Sequence, residues 1–257
     1  MGGHFFSLGK EDGTLLLWGK DAIISRYEKG RLSKMKQTSR FEGFEKDLTD
    51  FLWELRFNNY KQWFDENRSR YQRVLKEPMD ALAEELVAQM KERYQEEFLV
   101  SVSRINRDVR FSKDKSPYRD HKWLVLKRGQ GLWKDKPVLF FEVGPDYYMV
   151  GLGIYERLPA YMKAFRKKVE VNPAGFLRLA ERTKAHPFTV RGEDYKKKMG
   201  DWTDPALGWW MQKKEISFIE ECGIDERLYS RALLEWCLEA FGALLPMCKW
   251  MEDIVVE

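Results

Sequence analysis

A dense group of charged side chains between residues 104 and 121 is the part of this sequence best suited to chemistry. Its six cations are Arg104, Arg107, Arg110, Lys113, Lys115 and Arg119, and its carboxylates are Asp108, Asp114 and Asp120. Arginine suits the binding of a carboxylate or phosphate, because its donors form a rigid planar fork that can make two hydrogen bonds at once. Neighbouring cations repel one another unless carboxylates or a bound anion offset their charge. The segment is therefore either an anion-binding site or an internal network of ion pairs.

The first hypothesis divides these side chains into ligand-binding and catalytic groups. The predicted ligand-binding residues are Arg104, Arg107, Arg110, Asp114 and Lys115, and the predicted catalytic residues are His121, Asp108 and Tyr118. His121 would be the acid or base, because the reference pKa of imidazole lies near neutrality. Asp108 or Asp114 would orient an arginine or the histidine, and Tyr118 would add a donor. The second hypothesis makes all of them structural, since ion-pair networks concentrate charges in the same way.

The backbone that must position these groups fits two patterns. In a strand, where side chains alternate, Ile105, Val109 and Phe111 share an apolar face. In a helix, Arg104, Arg107, Asp108 and Phe111 would align instead. We favour a strand over residues 104–111, because its apolar residues suit a pleated surface. Pro117 then imposes an extended or turn geometry on the residue before it.

Three motifs carry a resemblance to a known family. The first is Arg104-x-x-Arg107-Asp108-x-Arg110-Phe111-x-x-Asp114-Lys115-x-x-Tyr118, followed by Arg119 and His121. The second is Asn58-Asn59-x-x-x-Trp63-Phe64-x-x-Asn67-x-x-x-Tyr71, and the third is Gly151-Leu-Gly-Ile-Tyr155 with Pro159. Together they resemble the family called domain of unknown function 2461, which occurs mainly in bacteria, from Phe41 to the C-terminus. The resemblance implies membership and no particular reaction.

The third motif departs from the family pattern. The family often has a Gly-rich run there, whereas this chain has only Gly151 and Gly153. A ligand role for this turn is correspondingly weaker. The chain also contains no Gly-x-Gly-x-x-Gly, Walker or Gly-x-Ser-x-Gly element, so we predict no cofactor.

Composition limits the class of protein. A chain of 257 residues with no Pro/Gly/Ser-rich linker is expected to form one main domain. The net charge of +4 does not by itself require nucleic acid or an anionic membrane. Cys222, Cys237 and Cys248 form no Cys-x-x-Cys pair, which argues against disulfides and zinc and suits a reducing cytoplasm. His4 and His186 lack acidic or Cys neighbours at ligand spacing, so no metal site is predicted.

The remaining pattern predicts an α+β fold: an antiparallel sheet flanked by N-terminal helices and a long C-terminal helix. Apolar residues recur at helical spacing in residues 44–57, 60–75 and 79–95. Strands follow near residues 98–102, 121–128, 138–143, 147–154, 188–190 and 216–219, with helices from Pro159 and Pro173. The last helix is expected over residues 225–255, with Pro246 bending or breaking it. Residues 1–37 are expected to be a poorly packed extension before a single domain at 38–257.

Three functions remain open. The preferred one is the binding of a small anionic, phosphorylated ligand by the charged segment, with hydrolysis or transfer as an extension. A second is nucleic-acid binding through lysines 196–198 and Trp202, Trp209 and Trp210. Against it, acidic and basic residues are nearly balanced. A third is an interaction scaffold in which the charged segment is only a salt-bridge network. No membrane span is expected, because no apolar run is long enough to cross a bilayer.

Overall fold

The computed structural model describes residues 40–110, 112–129, 134–156 and 158–256. The predicted extension at residues 1–37 lies outside these ranges. The described residues contain a six-stranded sheet with helices before and after it, as the α+β prediction requires. No helix among the described residues is both long and apolar enough to span a bilayer.

The sheet is antiparallel throughout and its strands lie in the order β1-β2-β3-β4-β6-β5. The strands are β1 Leu99–Val102, β2 Lys122–Lys127, β3 Pro137–Val143, β4 Tyr147–Ile154, β5 Thr189–Arg191 and β6 Ser217–Gly223. A tight turn joins β3 to β4, where Gly144 N–H donates to the carbonyl of Tyr147 at 2.9 Å. This is the hairpin expected from the Gly-Pro-Asp sequence between two apolar runs.

Both faces of the central strands are buried, which explains their nearly continuous apolar sequence. On one face, side chains such as Leu124, Phe141 and Val150 join the main core with the helices. On the other face, a smaller cluster contains Trp123, Val125, Val138, Phe140, Tyr147, Met149 and Ile219. A strand buried on both sides does not alternate between apolar and polar residues, so β3 is an apolar run interrupted by Glu142.

The helices are α1 Asp47–Phe57, α2 Lys61–Glu66, α3 Arg68–Tyr71, α4 Glu77–Tyr94, α5 Pro159–Val171, α6 Pro173–Lys184, α7 Pro205–Met211 and α8 Ala232–Glu252. A π-helical turn at Gln72–Lys76 joins α3 to α4. Helices α4 and α8 pack on each other, with α4 against β1 and β2 and α8 against β3 and β4. Helix α6 begins as the Asn172-Pro173 signal predicts, because the Asn172 side chain accepts the Gly175 N–H at 2.9 Å.

Three findings bear on the predicted elements. Helix α7 was not predicted, and Asp204 caps it by accepting the N–H groups of Ala206 and Leu207. Of the two effects predicted for Pro246, breaking of the helix is wrong, because α8 continues past this residue to Glu252. The described residues between β1 and β2, 103–110 and 112–121, belong to no named strand, so the predicted strand at 104–111 is wrong; we call these residues the charged loop.

The charged loop is not a strand because its own side chains satisfy its backbone. The carboxylate of Asp108 accepts the N–H of Arg110, and that of Asp114 accepts the N–H of Ser116. Lys115 Nζ donates to the carbonyl of Val109 at 3.0 Å. Such local bonds offer the backbone an alternative to a sheet ladder.

Candidate functional site

The ends of the charged loop are joined to each other and to the N-terminal helices. Asn106 and Tyr118 form an isolated antiparallel bridge, flanked by Arg107 N–H to Pro117 O and Arg119 N–H to Ile105 O, each 2.8 Å. The side chain of Asn59, between α1 and α2, donates to the carbonyl of Tyr118 and accepts its N–H, both at 2.9 Å. This pair of bonds explains why the Asn58-Asn59 motif accompanies the charged one.

The Tyr118 side chain lies in the core and not at the surface. Its ring stacks on Phe64 with centroids 4.0 Å apart and is 6% exposed. The predicted catalytic role of Tyr118 gains no support from this position, whereas an anchoring role for the loop does.

Two arginines of the charged loop are paired with carboxylates of the same loop. Arg107 forms an ion pair with Asp114, and Arg110 Nη2 lies 2.7 Å from Asp108 Oδ2. The hydrogen bonds from Arg110 lower the pKa of Asp108 to about 2. Burial raises the pKa of Asp114, but hydrogen bonds from Arg107 and Ser116 outweigh it and lower the value to about 2. Asp108 and Asp114 thus orient arginines, which is one of the two roles predicted for them, and the carboxylate beside His121 is Asp120.

The remaining predicted ligand-binding residues, Arg104 and Lys115, are exposed on the loop, as are Arg110 and Asp114. Arg119 lies deeper, and its guanidinium donates to the carbonyls of Arg104, at 3.0 Å, and Asn106. Burial, aided by the charges of Arg107 and Arg104 and opposed by Tyr155, lowers the pKa of Arg119 to about 10. Three guanidinium groups of the loop therefore lie within electrostatic range of one another.

His121 is held by a carboxylate that the sequence did not single out. Its Nδ1 lies 2.9 Å from Oδ1 of Asp120, and the other oxygen of Asp120 accepts Arg56 Nε at 2.5 Å. Burial raises the pKa of Asp120, but the hydrogen bonds and charges of His121 and Arg56 hold it well below its usual range. An ionised carboxylate on Nδ1 fixes the orientation of the imidazole and leaves Nε2 for a reacting group.

Trp123 brings the histidine and an arginine together. The His121 ring stacks on the Trp123 ring with centroids 5.6 Å apart, and the Arg119 guanidinium carbon lies 5.0 Å from the ring centroid. The three residues alternate along the chain into β2, so they share the sheet face opposite the helices. Sequence reasoning missed the role of Trp123, which looked like an ordinary buried-strand residue.

The same face carries a buried carboxylate on the neighbouring strand. Glu142 is paired in register with Trp123, is fully buried, and accepts a hydrogen bond from the Tyr147 hydroxyl. Burial and the charge of Glu142 raise the pKa of Tyr147. A single Glu inside the apolar run of β3 could have signalled this group, because a buried carboxylate requires partners.

Lys122 lies on the opposite, helix-facing side of β2. It is 3% exposed, and its Nζ donates to the carbonyl of Ser103 at 2.6 Å and lies 6.0 Å from the Tyr71 ring centroid. Burial lowers its pKa to about 8. Lys122 belongs to the junction between loop and helices and not to the group around Trp123.

Within the residues that the structure describes, no group of three or more His, Cys, Asp or Glu side chains could hold a metal ion. A cavity of about 10 Å³ lined by residues that include Ile154, Leu158, Phe165 and Ile216 has room for a single water.

Comparison with protein families found one match. The model of the family described as "Conserved hypothetical protein (DUF2461)" matches residues 47–250, which include every helix and strand named above except the last two residues of α8. No curated protein matches the chain.

Proposed function

The chain belongs to the DUF2461 family, and we propose that it binds a small anionic, phosphorylated ligand at the charged loop, with His121 as the acid or base of a hydrolysis or transfer step. The observation that carries the proposal is the shared Trp123 ring. A cation suited to phosphate and a titratable imidazole lie on one indole, at 5.0 and 5.6 Å. A group bound by Arg119 would therefore lie beside the same indole as His121.

Electrostatics support an anion at this position. Arg104, Arg107 and Arg119 lie near one another, so the charge of a phosphate would relieve a repulsion that the loop otherwise bears. Asp120 would keep His121 in one orientation while its second oxygen stays paired with Arg56. Glu142 on β3 and its hydrogen-bond donor Tyr147 on β4 would form the floor of the site.

A phosphate would have to displace the ion pairs inside the loop. In each pair one side chain is exposed, Arg110 or Asp114, and the other, Asp108 or Arg107, is 17% exposed. A phosphate can replace Asp114 on Arg107 through the same two-pronged geometry. The ligand would lie against the exposed cations of the loop, with Arg107 and Arg119 set deeper behind them.

The nucleic-acid alternative has narrower support. Of the three tryptophans assigned to it, Trp210 is 1% exposed and packs in the core, whereas Trp209 is 40% exposed with Lys213 Nζ 4.1 Å from its ring centroid. One exposed indole gives few stacking positions for a strand of nucleotides. The scaffold alternative predicts that the charges of the loop pair with one another. The Arg107–Asp114 and Arg110–Asp108 pairs agree with that expectation.

A thermal-shift titration separates the three functions. We expect inorganic phosphate and pyrophosphate to raise the melting temperature in a concentration-dependent way. The effect should disappear in Arg104→Gln and Arg107→Gln, and it should persist in Arg178→Gln, an exposed arginine of α6. A random oligonucleotide that stabilises the protein in low salt alone would favour nucleic acid. Absence of any response in the wild type would favour the scaffold.

The proposal includes a reducing, cytoplasmic setting. Cys222, Cys237 and Cys248 carry free thiols, and burial raises the pKa of Cys237 well above the usual value. Thiols of this kind are unreactive and act as small apolar groups in the core.

A further inference from the structure

Three exposed aromatic residues follow one another at the end of α1 and just after it, and two of their rings are in contact. Trp53, Phe57 and Tyr60 are 36%, 77% and 52% exposed. The helix buries Leu48, Phe51, Leu52 and Leu55, so Trp53 and Phe57 lie off its apolar stripe, one turn apart. Their rings stack in parallel, with centroids 5.9 Å apart and planes 13° apart. We call Trp53, Phe57 and Tyr60 the aromatic shelf.

Contacts of Arg56 and Asn59 connect the end of α1 that carries the aromatic shelf to the base of the charged loop. Arg56 pairs with Asp120, and Asn59 binds the backbone of Tyr118, so the residues beside Phe57 and Tyr60 both contact the base of the charged loop. The Arg56 guanidinium carbon also lies 4.5 Å from the Trp53 ring centroid. A continuous series of contacts therefore runs from the shelf through Arg56 and Asp120 to His121.

We propose that the aromatic shelf binds the ring of a ligand whose phosphate is held by the charged loop, which makes the ligand a nucleoside monophosphate or a similar phosphorylated aromatic compound. The inference rests on the proposed function, because it adds a second contact to the same ligand. A flat ring can stack on the open side of Phe57, and every base has such a face. The anionic end of the ligand matches the arginines, and its apolar end matches the shelf.

The exposure of the shelf rings favours a ligand that carries an aromatic ring. The fourth exposed aromatic among the described residues, Trp209 of α7, lies under the ammonium group of Lys213 and apart from the charged loop in the chain. The shelf, by contrast, lies on the helix whose Arg56 contacts the charged loop and its cluster of arginines. A phosphate alone would leave the shelf without a role.

Two ligands that differ in one ring test the inference. Affinities of adenosine 5′-monophosphate and ribose 5-phosphate are measured by calorimetry for the wild type, Phe57→Ser and Trp209→Ser. We expect the nucleotide to bind roughly tenfold more tightly than the sugar phosphate. Phe57→Ser should remove that difference and leave the affinity for ribose 5-phosphate unchanged. Trp209→Ser should change neither affinity.

The outcomes separate the two proposals. If ribose 5-phosphate binds and the nucleotide binds no more tightly, or if Phe57→Ser keeps the difference, the shelf role is wrong and anion binding stands. If neither compound nor inorganic phosphate binds, both proposals are wrong. Sedimentation of the same proteins adds one further result. A wild-type dimer that becomes a monomer in Phe57→Ser would assign the shelf to subunit contact and overturn its role in ligand binding.

Discussion

Arg56 and Asp120 form an ion pair, with 2.5 Å between Nε and Oδ2, that joins the first helix to the residue before His121. Both side chains are mostly buried, at 26% and 20% exposed. Arg56 therefore couples the stability of the helix to the orientation of the imidazole. Several measurements follow from this pair and from its surroundings.

Replacing Arg56 with Gln should destabilise the protein by about 1–2 kcal/mol, because Asp120 then remains largely buried without its cation. The free energy of unfolding in urea measures the loss. Arg178→Gln, at an exposed position on α6, is the matched control and should leave stability nearly unchanged. An unaltered unfolding midpoint in Arg56→Gln would show that the pair contributes nothing.

The same pair predicts a pH dependence of stability. Because the folded-state pKa of Asp120 is depressed, its contribution is present above the unfolded pKa of about 4 and is lost as pH falls through the folded value. The wild type should exceed Asp120→Asn by about 2–3 kcal/mol at pH 7, and the gap should shrink below pH 4. Urea unfolding of both proteins from pH 7 to pH 2 measures it. A gap independent of pH would contradict an ionised, stabilising Asp120.

Lys122 predicts a second rise of stability with pH, this time in alkali. Its folded-state pKa of about 8 lies below the unfolded value, so the folded protein loses its proton first. Stability should therefore rise between about pH 8 and pH 10 relative to Lys122→Met, by up to about 3 kcal/mol. Parallel unfolding curves of the two proteins at each pH measure the change. A constant difference across this range would mean that Lys122 titrates normally.

Tyr118 should behave as a packing residue. Tyr118→Phe keeps the stacking on Phe64 and should alter stability by less than about 1 kcal/mol, whereas Tyr118→Ala should cost about 3–4 kcal/mol. Phosphate titrations of Tyr118→Phe should match the wild type. If Tyr118→Phe is stable but no longer responds to phosphate, the Tyr118 hydroxyl takes part in binding and the packing role alone is wrong.

Gly151 should be required by the sheet and not by a ligand. A Cβ there would lie 2.4 Å from the carbonyl oxygen of Phe218 on β6 and 2.6 Å from the Phe140 ring on β3. Gly151→Ala must therefore separate strands, at a cost of about 1–3 kcal/mol or more. The control is Gly223→Ala on β6, where a Cβ would meet nothing within 4 Å. Equal melting temperatures for the two variants would refute this role.

Local pattern determined most of the secondary structure. The predicted strands at 121–128, 138–143 and 147–154 match β2, β3 and β4, because buried strands need apolar residues whatever lies across from them. Helices α5 and α6 were predicted from Pro159 and Asn172-Pro173, since their start signals act within one turn. The charged loop was misassigned because its bonds from Asp108, Asp114 and Lys115 to the backbone are invisible to periodicity.

The sequence alone determined where charge accumulates and which family the chain belongs to, since both depend on residues close together in the chain. It left open whether Asp108 or Asp114 would orient His121. The tertiary structure shows that Asp120 orients His121, and the second partner of Asp120, Arg56, is 64 residues away in the chain. Tertiary structure also decided that Tyr118 faces the core and that Trp123 joins Arg119 to His121. Such arrangements depend on which helix packs against which strand, and no local spacing encodes that choice.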